Sequence, residues 1–198
     1  KYKHLKVITH IQNQGYGGAL RSGFKACQYG LIFYTDGDGQ YDVRELPILL
    51  SLMTKSYDFI NGIKIVRNDP TYRVYTFITR WLIWIQIYDI NCDFRLIRKS
   101  LLKKLDLESN SGSICIELVK KAERAGAKFR QVSIHHLERQ YGVSQFFKVN
   151  RILHTFEEII KAIGKQPYFQ DDAVVIYHAD CRDILPLIPD KSIDVVLT

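Results

Sequence analysis

Several features that would assign a function at sight are missing from this chain. Its four cysteines, Cys27, Cys92, Cys115 and Cys181, form no Cys-x-x-Cys pair. Such spacing argues against a zinc site and against a disulfide framework, and it leads us to expect a reducing, cytoplasmic setting. No apolar run reaches the ~20 residues that a bilayer-spanning helix needs, and no secretory signal opens the chain. Methionine occurs once, at Met53, and the first residue is Lys1, so a natural start upstream of Lys1 is expected. The standard nucleotide loops are absent too. A dinucleotide fingerprint beginning at Gly15 would need glycine where Leu20 stands, and a P-loop over Gly18 to Gly23 would need Lys-Ser/Thr where Phe24-Lys25 follows. An EF-hand loop from Asp36 would need glycine and glutamate where Tyr41 and Pro47 stand.

What is present is enough for a folded domain. The 198 residues are 46% hydrophobic, which suits one ordinary domain with part of another and excludes a disordered chain. A net charge of +7 suits an anionic partner: nucleotide, phospholipid, lipid phosphate or nucleic acid.

Apolar periodicity predicts strands over 5–9, 31–35, 57–65, 89–97 (entered through a turn) and 128–134. Helices are predicted from the glycine-rich 13–23 segment to about Tyr29, from Pro47 to about Lys55, over 72–88, from a Ser100 N-cap, over 114–125 and over 146–163. Residues 67–70 read as a turn. Phe77, Trp81, Trp84, Ile85 and Tyr88 form an aromatic stripe, read as core or as a face resting on a membrane surface. The alternation implies an α/β domain with a mostly parallel sheet. His135 and His136 have no partner pattern and are taken as structural.

The run Leu31-Ile-Phe-Tyr-Thr-Asp-Gly-Asp-Gly-Gln-Tyr-Asp42 carries the chemistry. Residues two apart in extended backbone face one way, so Asp36, Asp38 and Gln40 can offer three oxygen ligands to one hard cation. The same residues also satisfy a plain Asp-Gly turn, and five residues alone do not separate the two readings.

In order along residues 1–163, the chain resembles the family 2 glycosyltransferases that act on polyisoprenyl phosphates. The matching residues are Asn13-x-Gly15 with Ala19 and Gly23, Asp36 to Asp42, Gly62-x-Lys64-x-x-Arg67-x-Asp69, Arg80, Cys92-x-Phe94-Arg95, Glu117-Leu and Arg139-x-x-Gly142-x-Ser144. The resemblance implies a GT-A fold and inverting transfer of a sugar from a nucleotide-sugar to a lipid-phosphate acceptor at the inner membrane face. It implies Mg²⁺ or Mn²⁺ held by Asp36, Asp38 and Gln40, and donor contacts from Asn13, Gly15 and Asp36. It further implies Asp38 and Glu117 as catalytic groups, with Lys64, Arg67, Arg80, Arg139 and Ser144 around the phosphates. Gln145 stands where the family usually has lysine. The opening strands that bind the nucleotide base in this family, roughly 60 residues or two βα units, are expected to be missing, leaving the GT-A fold incomplete and activity reduced.

Residues 164–198 differ in character. Their Asp-Cys turn and Asp-Val-Val-Leu-Thr ending resemble the start of an amino-group (adenine-N6 or cytosine-N4) DNA methyltransferase, just short of its catalytic motif. A fragment or a read-through between neighbouring genes is expected. A nucleic-acid-modifying protein and an inactive remnant are the competing classes. The tail has no basic cluster, so nucleic acid is not the expected partner.

Overall fold

The computed structural model describes residues 5–65 and 85–137, together with two short paired strands, Phe169–Gln170 and Val175–Ile176. Arg67, Arg80, Arg139, Ser144, the stripe at 77–84, the predicted helix 146–163, the 163/164 boundary and all but four residues of 164–198 lie outside the described residues.

The main sheet has four strands: β1 (Leu31–Thr35), β2 (Phe59–Lys64), β3 (Phe94–Arg98) and β4 (Phe129–Ile134). Their order is β1-β3-β2-β4. β3 runs antiparallel to both of its neighbours, and only β2 and β4 pair in parallel. The expected mostly parallel sheet is therefore corrected to a mixed one. β1, β2 and β4 point the same way, as the strand–helix alternation implied, but β3 is inserted between them in reverse. Alternation cannot reveal that reversal, because the side-chain period of a strand is the same in either direction.

The helices are α1 (Gly15–Ala26), α2 (Leu46–Leu52), the short α3 (Lys99–Leu102) and α4 (Ile114–Arg124). One face of the sheet presents Ile32, Tyr34, Phe59 and Ile97 to Ile116 and Val119 of α4, with Leu20 and Phe24 of α1 against the same cluster. The other presents Ile60, Phe94, Leu96 and Ile134 to Leu49 of α2 and to Tyr41. Strands β2 and β3, covered on both faces, are nearly continuous runs of buried residues, as central strands of a covered sheet should be.

Three local expectations fail. Residues 5–9 form no strand: Leu5 and Val7 are exposed, and no described strand lends them a hydrogen-bonding partner. Apolar alternation makes a strand only where a neighbour completes the ladder. Ser100 lies inside α3 rather than capping it, since Arg98 occupies the N-cap without a side-chain bond. Residues 85–88 are not helical; Ile85 and Ile87 are buried while Gln86 and Tyr88 are exposed, a period of two.

The α1 entry sits hard against the loop at 108–110. A Cβ on Gly15 would stand 2.2 Å from the Asn110 carbonyl oxygen, and one on Gly17 would stand 2.1 Å from that of Ser109. Gly17→Ala is therefore expected to lower stability by about 1–3 kcal/mol, because backbone must move to admit the methyl group. Urea denaturation measures it, and an unchanged midpoint would contradict the packing.

Candidate active site

Because β1, β2 and β4 end at one sheet edge and β3 begins there, four connecting segments gather at that edge. They are the acidic turn after β1, Lys64–Ile65 after β2, residues 89–93 before β3 and residues 135–137 after β4. Edges of this kind are where α/β sheets usually bind ligands.

The acidic turn is shaped by its own side chains. The Gln40 amide N–H donates to Asp38 Oδ1 at 3.1 Å, and Gly39 takes φ +75°, which a residue with a side chain seldom adopts. Beyond it the chain is fastened to residues 135–137. Leu137 N–H donates to the Gln40 carbonyl at 2.8 Å, Gln40 Nε2 donates to the Leu137 carbonyl at 3.2 Å, and Tyr41 bridges to His136. The His136 ring meets Tyr41 edge-on, and Glu45 accepts from the His135 amide at 2.9 Å while pairing with its ring. Both histidines thus hold the turn in place.

Asp36 is half-buried, whereas Asp38 is exposed. The Tyr16 hydroxyl, reaching over from α1, donates to Asp36 Oδ1 at 3.0 Å. Burial, and then the charge of Asp93, push the Asp36 carboxyl up to about 6 despite the Tyr16 bond. Asp93 is held by the Tyr34 hydroxyl and the Cys115 thiol, each 3.1 Å from Oδ1, while its amide donates to the Tyr41 hydroxyl. Burial, then Asp93, raises the Cys115 thiol far above its usual range, so it stays protonated and serves as a donor. Sequence reasoning missed both Tyr16 and Asp93. The flanking glycines of Tyr16 were a usable signal for it; a lone aspartate before an apolar strand offered none.

Among the described residues no three His, Cys, Asp or Glu side chains form a cation cage. The donor chemistry still suits Mg²⁺ or Mn²⁺. Such ions are commonly held by one or two carboxylates, with substrate phosphates and water completing the shell. Asp36 and Asp38 supply that pair of hard oxygen donors.

Other expected site residues are engaged differently. Asn13 Oδ1 accepts from the Gly15 amide at 2.8 Å, and Gly15 takes φ +71°, so the pair shapes the start of α1. The place where a Gly15 Cβ would stand is taken by the Asn110 backbone. The Lys64 side chain is only 3% exposed; its ammonium donates to the Asn91 carbonyl at 2.6 Å and lies 3.6 Å from Asp89. Those contacts fasten the 89–93 segment to the end of β2. Arg95, fully buried beneath the same segment, donates to the Ile90, Cys92 and Cys115 carbonyls.

Glu117 is not on the helix surface. It is buried, accepts the Glu108 and Ser109 amides at 2.8 Å each, and pairs with Lys121 at 2.7 Å. Burial pushes its carboxyl up, but the bonds from Lys121, Ser109 and Glu108 outweigh it and hold the group below its usual range. Both oxygens are engaged in fixing the 108–110 loop. On the other side of that loop, Arg21 donates to the Glu108 and Ser109 carbonyls and to Asn110 Oδ1.

With this geometry in view, the likenesses to other proteins are informative. The chain is 21% identical over 169 residues to an undecaprenyl-phosphate 4-deoxy-4-formamido-L-arabinose transferase of Yersinia enterocolitica, and 22% identical to that of Yersinia pestis. Each alignment covers 83% of this chain and 50% of the relative, so the chain spans about half the length of the curated relatives it matches. Among solved structures, glucosyl-3-phosphoglycerate synthase from Mycobacterium tuberculosis, in complex with Mg²⁺ and UDP, superposes with a TM-score of 0.60 at 15% identity. The match covers 81% of this chain and 57% of that one. Mannosyl-3-phosphoglycerate synthase from Rubrobacter xylanophilus gives 0.56 at 12% identity, over 81% of this chain and 56% of that one. At such identities these structures speak to the fold alone, and that fold is the GT-A fold. The family model for Glycosyl transferase family 2 matches residues 1–106, more than half of the chain and the stretch holding Tyr16, Asp36, Asp38 and Asp93. This chain belongs to glycosyl transferase family 2.

Proposed function

We propose that the chain carries the cation-binding and acceptor-facing part of an inverting glycosyltransferase that moves a sugar from a nucleotide-sugar to a polyprenyl-phosphate-type lipid. The observation that carries this reading is the Asp36/Asp38 turn at the edge where three strands end, inside the family-matched stretch. The curated relatives are named as undecaprenyl-phosphate sugar transferases, and the solved neighbours include complexes with Mg²⁺ and UDP and with Mn²⁺ and UDP-glucose. Asp36 and Asp38 would hold the cation, with Gln40 as the third oxygen ligand. A divalent ion bound there supplies a Lewis acid for the charge that develops on the leaving diphosphate.

A phosphate acceptor is already anionic at neutral pH, so attack needs no strong general base. That agrees with Glu117 being committed to the 108–110 loop. Arg67, Arg80, Arg139 and Ser144 remain the proposed phosphate contacts. Among the described residues no helix is long and apolar enough to cross a membrane; contact with the lipid at the cytoplasmic membrane face is proposed as peripheral.

The test is transfer of radiolabelled sugar from a panel of UDP- and GDP-sugars to polyprenyl phosphate by the 198-residue chain with Mn²⁺. Transfer that disappears on adding EDTA is expected. Transfer undiminished by EDTA, or a chain that does not bind Mn²⁺, overturns the reading.

A further inference from the structure

We propose that Tyr16 is a positioning residue for the cation site: its hydroxyl, presented by the packed N-terminus of α1, orients the Asp36 carboxylate for a divalent cation. This rests on the reading of Asp36 and Asp38 as cation ligands.

Two independent arrangements point to it. The first is the bond itself. Tyr16 crosses from α1 to place its hydroxyl 3.0 Å from Asp36 Oδ1, fixing which oxygen of the half-buried carboxylate is committed to protein. Ligand carboxylates at metal sites are generally oriented by such hydrogen bonds, and losing the partner typically costs about 10–100-fold in metal affinity.

The second is how little freedom Tyr16 has. It sits between Gly15 and Gly17, and both of these touch the backbone at 109–110 more closely than any side chain would permit. The Gly17 amide donates to the Asn110 carbonyl at 2.9 Å. The receiving loop is itself gripped from two sides, its amides by Glu117 and its carbonyls by Arg21. Each grip uses a charged group, and charged hydrogen bonds are the strong ones. A loop that served only to connect α3 to α4 would need neither grip. Gly15 and Gly17 thus let α1 close on a rigid support that aims Tyr16 at the acidic turn.

The experiment is Mn²⁺ binding by the full 198-residue chain, read by the loss of free-ion EPR signal, beside thermal unfolding without metal. For Tyr16→Phe we expect Mn²⁺ affinity to fall about tenfold with the unfolding midpoint nearly unchanged, since Tyr16 is 39% exposed and the substitution keeps its ring. A merely structural role would move the midpoint and not the affinity. Tyr16→Phe binding Mn²⁺ as tightly as the unaltered chain, while Asp38→Ala binds it far more weakly, overturns the positioning role and leaves the cation site standing. Failure of the unaltered chain to bind Mn²⁺, or Asp38→Ala binding equally well, overturns both.

Discussion

Asp38→Ala is expected to reduce Mn²⁺-dependent sugar transfer by about 10³-fold while leaving the fold intact. The size follows from the task assigned to the residue. A cation that offsets the charge on a leaving diphosphate contributes several kcal/mol to the transition state, and each 1.36 kcal/mol is a factor of ten in rate. The small cost to folding follows from the structure. Asp38 is exposed, and it accepts a hydrogen bond from the amide two residues on, within the turn. Losing a bond of that kind costs about 0.5–1.5 kcal/mol. The measurement is single-turnover transfer beside urea denaturation of the same variant. Retention of transfer within a few-fold of the unaltered chain would remove Asp38 from the cation site.

Glu117→Ala should do the opposite and damage the fold first. The substitution takes the carboxylate from Lys121, whose side chain is 8% exposed and keeps only the Asp106 carbonyl among its described partners, and leaves two loop amides without their acceptor. Breaking a buried ion pair by removing one partner costs about 3–5 kcal/mol. The pH dependence has a definite sign. The folded Glu117 carboxyl lies below its ordinary value of 4.5, so its stabilising contribution is present above about pH 4.5 and is lost as pH falls through the lower folded value. Glu117→Gln cannot ionise and should flatten that acid limb of the stability profile. Urea midpoints for the three chains between pH 3 and 7 provide the check. Wild-type stability in Glu117→Ala, joined to lost transfer, would instead make Glu117 a catalytic group, as the family resemblance implies.

The pattern of residues specified β1, the centre of β2, helix α4 and β4 almost to the residue, because each is a short run whose periodicity and breakers are local. Gly126, with φ +73°, follows directly on the α4 region, a breaker of that local kind. The acidic turn and the family were legible for the same reason: they are ordered short motifs. Residues 5–9 show the limit of local pattern, since a strand exists only with a neighbour.

What tertiary structure decided is which distant groups meet. The reversal of β3 made the sheet mixed and brought Asp93 to the edge beside Asp36. Lys64 and Asp89 are 25 residues apart, Tyr16 and Asp36 are 20 apart, and Arg21 and Ser109 are 88 apart. A charged or polar side chain taken out of water must find partners wherever the fold supplies them, and neither composition nor periodicity encodes that choice. The Lys64 ammonium reaches the Asn91 carbonyl and Asp89, and Gly15 packs on the Asn110 backbone, neither of which the local pattern foretold. The sequence by itself determined the elements, the acidic turn and the family. Only the fold decided which charges face the site and which are committed to holding it together, because that depends on contacts between segments far apart along the chain.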